Sequence, residues 1–220
     1  MDNVIALAKT KPKFPESYLG DKADEYDNLK WMERNQKRTT LTTIKYLFDD
    51  KLGKPNYNLE EDLPLLILDL GCGTGFSSEI LVENGFRVIG VDILNDMLSK
   101  ANEKRKMLNI NNLKLILADI NYLPIRNHSI HFITSISAYN FITHDKHGLR
   151  NKKMIVNNTA KSLNKILKTD GRIVIEFYPE NDEELRLFNS SFTENGFEGF
   201  MVKNIPNQKS GQIFLLLKKK

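Results

Sequence analysis

The eleven residues from Leu65 to Gly75, LLILDLGCGTG, constrain the fold more than any other part of the chain. An apolar run of the buried-strand type ends in Asp69 and is followed at once by glycines at 71, 73 and 75. An extended strand must therefore break into a tight turn with exposed backbone before the next helix begins, and such a turn cradles a ligand. A dinucleotide-binding turn needs G-x-G-x-x-G, with its third glycine where this chain has Phe76. The spacing here is G-x-G-x-G. An acid just before the turn faces a pyrophosphate unfavourably but suits a ligand carrying an ammonium and a sulfonium group.

On either side of the turn the pattern alternates. Phe76 to Asn84 reads as a helix closed by Gly85, and Phe86 to Asp92 as a second strand ending in an acid, which makes a βαβ unit. Asn95 to Leu108 reads as a helix, Leu113 to Ala118 as a third strand, and Ile130 to Ile136 as a fourth. Then come a helix over Lys152 to Leu167, a turn at Gly171, a fifth strand over Arg172 to Tyr178 and a helix over Asp182 to Asn195. Glu198 to Lys203 and Gln212 to Lys218, with Pro206 and Gly211 between them, suggest a closing hairpin. The expected fold is α/β and Rossmann-like, a seven-stranded, mainly parallel sheet with a terminal antiparallel strand and helices on both faces. Ahead of it, residues 1–17, with Pro12 and Pro15, read as a flexible segment, and residues 18–62 as a helical cap whose apolar face includes Leu29, Met32, Leu41, Ile44 and Leu47. The cap reaches the core, residues 63–220, through a loop holding Gly53, Pro55 and the acids Glu60, Glu61 and Asp62.

Composition narrows the setting. At 220 residues the chain suits one core, and 32 basic against 28 acidic side chains give a formal charge of +4, weak evidence for a polyanionic partner. Cys72 is the only cysteine, which excludes an intramolecular disulfide or a cysteine-rich zinc site and fits a reducing compartment. No apolar run approaches the roughly 20 residues of a membrane helix, and the first residues lack a signal peptide's apolar stretch. The expectation is a soluble, cytoplasmic protein with no membrane partner.

Three acids close three successive strands. Asp92 stands about twenty residues past the turn, where a carboxylate accepts hydrogen bonds from both hydroxyls of a ribose. Asp119, or the amide of Ile120, could meet an adenine edge. A lone acid at a strand end is more often a cap or loop solvator, but together the three outline a nucleoside site. DLGCGTG, VDI at 91–93 and ADI at 118–120 together resemble a class I S-adenosylmethionine-dependent methyltransferase from about residue 64 onward. The resemblance implies S-adenosylmethionine as cofactor, held by Tyr18, Tyr26, Asp69, Gly71, Cys72, Gly73, Gly75, Asp92, Ile93, Asp119, Ile120 and Ser135. Cys72 itself reads as a small packing residue.

Methyl transfer from a sulfonium needs alignment in a dry pocket, and a base only where the acceptor atom carries a proton, so no catalytic residue is obligatory. Ring-carbon methylation of a pyrimidine resembles cysteine catalysis, yet Cys72 lies in the cofactor turn. Exocyclic-amine methylation goes with a Pro-Pro-aromatic sequence after the fourth strand, and this chain has Ser135, Ile136, Ser137, Ala138 and Tyr139 there. SISAYNF at 135–141, NNTAKSLNKILKTDG at 157–171 and EFYPEND at 176–182 resemble instead the small-subunit ribosomal RNA (guanine-7-) methyltransferases. Tyr18, Asp21, Tyr26 and Gln36 match that family's Tyr-x-x-Asp and Tyr-x9-Gln pattern. Trp31 stands where the family has an arginine, and no basic extension follows Lys220, which suits an archaeal-type, cytoplasmic relative.

The resemblance implies action on ribosomal RNA in the pre-ribosomal subunit. It also implies a heterodimer with a small zinc-binding activator protein that extends the sheet at the third strand. Tyr139, Phe141, Phe177 and Tyr178 are expected to wall the acceptor pocket, with core packing as the other reading. Asn140 and Asn181 are expected to bond the base edge, a turn role for Asn181 remaining open. His144 and His147 read as loop histidines rather than metal ligands, and no metal is expected. Lys146, Arg150, Lys152 and Lys153 form a candidate phosphate patch or a solvated helix face. Two rivals remain: a methyltransferase of small, quinone-like metabolites, and a cofactor-binding ribosome assembly factor.

Overall fold

The computed structural model describes residues 13–54, 64–144, 148–179, 181–204 and 212–220. Most of the lead-in, the loop with Pro55 and its acids, Lys146, His147, and the Pro206 to Gly211 turn lie outside the described residues. Seven strands form one sheet in the order β3-β2-β1-β4-β5-β7-β6. They are β1 (Leu66–Leu70), β2 (Arg87–Asp92), β3 (Leu113–Leu117), β4 (Ile130–Ser135), β5 (Leu167–Phe177), β6 (Phe197–Lys203) and β7 (Ile213–Lys219). All neighbouring pairs from β3 to β5 are parallel, and β7 runs antiparallel to both β5 and β6. The predicted mainly parallel sheet with one antiparallel strand is therefore what the chain forms.

Side-chain alternation divides the core into two layers. Ile67, Phe132, Val174, Phe214 and Leu216 point to one face, where they meet Leu47 of α2 (Lys30–Leu47) and Leu81 of α3 (Phe76–Glu83). Leu68, Ile133, Ile173, Ile175, Leu215 and Leu217 point to the other, against Val156 and Leu163 of α5 (Leu149–Ile166) and Phe188 and Phe192 of α6 (Asp182–Glu194). Strands covered on both faces must be apolar at nearly every position, which is why LLIL and RIVI read as continuous runs. Each fully buried phenylalanine or leucine in these layers contributes about 1.5–3 kcal/mol of transfer free energy.

The described part of the N-terminal cap holds α1 (Asp21–Asp27) and α2, separated at Asn28 and Leu29. One element differs from the sequence expectation. The turn expected at Gly171 lies inside β5, which begins directly after α5 at Leu167. Its register on β4 shifts between Ile130↔Leu167 and Phe132↔Arg172, and a Cβ on Gly171 would lie 2.4 Å from the Leu167 side chain. The glycine is needed for that contact within a bulged strand.

Chain order creates the functional cleft. From β1 the chain steps outward to β2 and β3, then returns to place β4 on the other side of β1. The helices on either side of such a switch point leave a crevice beyond the strand ends, and the glycine turn sits there. The N-terminal helices are tied to the sheet by Arg172, buried in β5, whose guanidinium donates to the carbonyls of Leu47 at 2.8 Å and Gly53 at 2.6 Å. Arg172→Ala leaves those carbonyls without this donor. It is expected to lower the unfolding free energy by about 3 kcal/mol in urea denaturation, with the N-terminal helices losing amide protection first.

Candidate active site

The glycine turn is built from backbone bonds. Gly71 and Cys72 both donate to the Val91 carbonyl at the end of β2, at 2.8 and 2.9 Å. Gly71 has φ +68°, and a Cβ there would lie 2.2 Å from the Ala138 Cβ, so the turn closes against the chain leaving β4 in a way only glycine permits. Asp92 binds the turn from below: its Oδ2 accepts from the Gly73 amide and its Oδ1 from the Leu94 amide, both at 2.9 Å. Asp69 acts one layer deeper. Its Oδ2 accepts from Ser77 Oγ at 2.6 Å and Ser78 Oγ at 2.7 Å, anchoring the first turn of α3.

Beyond the turn opens a cavity of about 700 Å³ lined by Gly71, Cys72, Gly73, Asp92, Leu94, Met97, Ser137, Ala138 and Phe141. Its roof is N-terminal and includes Phe14, Tyr18, Tyr26, Trp31, Met32 and Gln36. A smaller cavity of about 330 Å³ adjoins it and shares Phe14, Gly71, Asp92, Leu94, Ala138 and Phe141, adding Ile93, Asp119, Ile120 and His144. The Asp119 Oδ1 accepts from the Asn121 amide at 2.8 Å, and Asn121 in turn accepts from Thr159 of α5.

Aromatic packing and charge hold the roof down. Phe14 stacks on Phe141 with ring centroids 4.7 Å apart, and Tyr18 meets Tyr26 edge-on at 5.6 Å. Gln36 donates to the Tyr26 hydroxyl at 2.6 Å, which explains the Tyr-x9-Gln spacing: two adjacent helices place the pair face to face. From α4 (Asn95–Met107), Asp96, Lys100 and Lys104 form one stripe four residues apart. Asp96 accepts from the Gly20 amide at 2.6 Å, Lys100 pairs with Asp24, and Lys104 pairs with Asp27. Lys104 also lies 3.6 Å above the Phe76 ring centroid and touches Thr74, so it joins roof and glycine turn.

The electrostatics define what fits. Asp92 and Asp119 are the charged groups of the inner wall, while Lys22 and Glu25 belong to the roof. Carboxylates already bonded to the turn, as Asp92 is, or to Asn121, as Asp119 is, can still offer lone pairs to hydroxyl or amine donors, a set that suits a cationic nucleoside and repels a pyrophosphate. Burial raises the pKa of Asp92 above the usual carboxylate value, with the amides of Leu94, Gly73 and Ile93 opposing it. Burial pushes Asp69 up to about 6, against the opposing bonds of Ser77 and Ser78. Burial also pushes the Cys72 thiol well above its ordinary value, with Asp69 and Asp92 adding, so it is no nucleophile at neutral pH.

Of the residues expected to hold cofactor, Tyr18, Tyr26, Gly71, Cys72, Gly73, Asp92, Ile93, Asp119 and Ile120 line the two cavities. Asp69, Gly75 and Ser135 do not. Gly75 packs against Ala101 at the start of α3, and buried Ser135 donates to the Leu70 carbonyl at 2.9 Å, so both shape the turn from behind. The residues expected on the acceptor side are dispersed. Tyr139 and Phe177 are buried in the α6 layer, their rings 5.6 and 4.7 Å from Phe188. Asn140 is occupied with the backbone of Tyr178, donating to its carbonyl at 2.7 Å and accepting from its amide at 3.2 Å. Asn181 caps α6, accepting from the Glu184 amide at 2.9 Å. Phe141 does face the cavities, and Tyr178 is half-exposed. Sequence reasoning assigned no site role to Phe14, Ser137 or Glu176. The signal for Phe14 was present, as the only aromatic among the first 17 residues.

Comparison with known proteins fits this geometry. The sequence model described as a methyltransferase domain matches residues 64–215. The chain belongs to the methyltransferase domain family. It is similar to the 18S rRNA (guanine-N(7))-methyltransferase of Bos taurus, 32% identical over 71% of this chain and 54% of that protein. It is also similar to the 18S rRNA (guanine(1575)-N(7))-methyltransferase of Saccharomyces cerevisiae, 29% identical over 89% of this chain and 66% of that one. The chain thus spans about half to two thirds of the length of these curated relatives. Among solved structures, the PH0226 protein of Pyrococcus horikoshii OT3 superposes with a TM-score of 0.66 at 19% identity, covering 94% of this chain and all of that one. The magnesium protoporphyrin IX methyltransferase of Synechocystis, solved with SAM bound, gives 0.59 at 18% identity over 92% and 98%.

The buried acid of this methyltransferase leaves a pH signature. Because folding raises the Asp69 pKa, its contribution to stability is fully present below about pH 4 and is lost as pH rises through about 6. In Asp69→Asn that contribution is removed, so the difference between wild-type and variant unfolding free energies should change by about 2–3 kcal/mol between pH 4 and pH 7 in urea titrations.

Proposed function

We propose that this methyltransferase takes its methyl group from S-adenosylmethionine and delivers it to N7 of a guanine in small-subunit ribosomal RNA. The observation that carries the reading is the set of curated 18S rRNA (guanine-N(7))-methyltransferases that match over 70% or more of this chain. The cavity supports it. Asp92 offers free lone pairs to a ribose diol and Asp119 to an adenine amine, the peptides of Gly71 to Gly73 leave room for a close approach, and Tyr18, Tyr26 and Phe141 wall off water. When bound, S-adenosylmethionine supplies an electrophilic methyl group. A guanine N7 has a free lone pair and no proton, so the chain needs no base; it aligns the two partners and keeps the site dry. Residues 18–62 act as the cap of a core spanning residues 63–220. The first turn of α5, with Arg150, Lys152 and Lys153, serves as the contact for RNA phosphates. Cytoplasmic location is part of the same reading, in keeping with the lone, unpaired Cys72; no helix among the described residues is long and apolar enough to cross a membrane. Mass spectrometry of small-subunit RNA from cells with and without the gene is expected to show loss of one 7-methylguanosine per subunit, and unchanged content would overturn the proposal.

The same reading includes the small zinc-binding activator. β3 is an edge strand, and Leu117 at its end and Met107 and Tyr122, close to it in the chain, are 57%, 78% and 76% exposed, which supports an apolar docking surface at this edge. Co-expression with the host's activator should raise the soluble yield severalfold for wild type but not for Leu117→Lys. Equal yields for both, with and without the activator, would rule this partner out.

A further inference from the structure

On the α2 side of the sheet, behind the larger cavity, a carboxylate is buried without a cation. Glu176, one residue before the end of β5, is 1% exposed, and no lysine or arginine among the described residues pairs with it. It is held by hydrogen-bond donors instead. Ser137 Oγ donates to its Oε2 at 2.7 Å, and Tyr178 Oη donates to its Oε1 at 2.7 Å. The Gln212 amide donates to the same Oε1 and also to Thr39 Oγ1 of α2 at 2.9 Å. One carboxylate thus joins β5, the chain leaving β4, the start of β7 and, through Gln212, the N-terminal cap.

Ser137 is the member of this group that reaches the ligand space, since it lines the cavity. It is also one of three described residues other than glycine with positive φ, at +57°. That conformation is costly for a residue with a Cβ, and it persists where surrounding bonds enforce it. Here it aims the serine hydroxyl at Glu176. A carboxylate has no proton to give, so each hydroxyl facing it must commit its single proton there, and only lone pairs remain for whatever enters the cavity.

We propose that Glu176 is a positioning residue that converts Ser137 Oγ into a fixed hydrogen-bond acceptor, and that this acceptor selects a base presenting a donor edge. The inference rests on the guanine reading above and adds its means of discrimination. Guanine carries N1–H and the 2-amino group on one edge, with N7 on the far side of the base and free to react. Adenine has a bare N1 and no 2-amino group, its one amino donor standing at C6 where guanine has a carbonyl, so at N1 and C2 it offers the serine oxygen no donor. A site built to receive a donor discriminates against a base that lacks it, because the fixed acceptor is then set against another lone pair.

The test uses nucleotides that differ in the donors of that edge, the guanosine and inosine pair differing in the 2-amino group alone. Guanosine, inosine and adenosine monophosphates are titrated into the full chain holding S-adenosylhomocysteine, and binding is followed by NMR. Wild type is expected to bind the guanosine nucleotide about tenfold more tightly than the inosine one, which lacks the 2-amino group, and the adenosine one more weakly still. Ser137→Gly removes the hydroxyl and relieves the positive φ, so the fold is kept. Glu176→Gln is isosteric but brings an amide donor. Each should reduce the guanosine-to-inosine ratio at least threefold while S-adenosylhomocysteine affinity stays within twofold. A ratio unchanged in both variants, or equal loss for both nucleotides, overturns the role of Glu176 and Ser137 and leaves guanine methylation intact as measured on ribosomal RNA. Wild-type preference for the adenosine nucleotide overturns both readings.

Discussion

Two backbone amides on one carbonyl, Gly71 and Cys72 on Val91, anchor the site to the sheet. They pull the chain leaving β1 sideways across the end of β2, so the turn cannot continue as strand and must pass through left-handed glycine conformations. Asp92, the next residue after Val91, then reaches the Gly73 amide and completes the bracket. A turn held at both ends by its neighbouring strand is rigid before any ligand arrives, and preorganisation of this kind lowers the cost of binding.

The roof depends on the same bracket. Lys104 links Asp27 of the N-terminal segment to Thr74 and Phe76, which begin the helix that the glycine turn launches. Burial lowers the Lys104 pKa and its pairing with Asp27 opposes that shift, so the charge is kept in place by a partner from the roof. Below, Asp69 ties the first turn of α3 to β1 through two serine hydroxyls, at the cost of an elevated pKa. The acids of this region are therefore placed differently: Asp69 lies wholly within the core, whereas Asp92 and Asp119 bond neighbouring amides and also line the cavities.

Much of this could be read from the sequence. The strands, the position of the glycine turn, and the acids at 92 and 119 follow from apolar runs and strand-end placement, which are local properties. Most residues singled out at the glycine turn and at the strand-end acids line the cavities, whereas those just past β4 and β5 are divided between cavity and core. Which face a residue takes just past a strand end depends on the turn that follows. Ser137, at φ +57°, redirects the chain so that Tyr139 enters the α6 layer and Phe141 meets Phe14. Period-two alternation stops at that point, so Tyr139 and Phe141 looked equivalent although one is core and the other lines the cavities.

By itself the sequence determined the sheet, the ligand turn and the family motifs, because each is written in contiguous residues whose backbone demands are local. Only the tertiary structure decided the rest. Phe14 belongs to the roof because Phe141 is there to stack on, and Asn140 serves the backbone because Tyr178 lies opposite it. The hydrogen bonds of Glu176 exist only because the strand ends of β4, β5 and β7 bring Ser137, Tyr178 and Gln212 around one carboxylate. Those partners lie 39, 2 and 36 residues away in the chain. Long-range hydrogen bonds leave no periodic trace in a sequence, so the fold must form before their chemistry can be read.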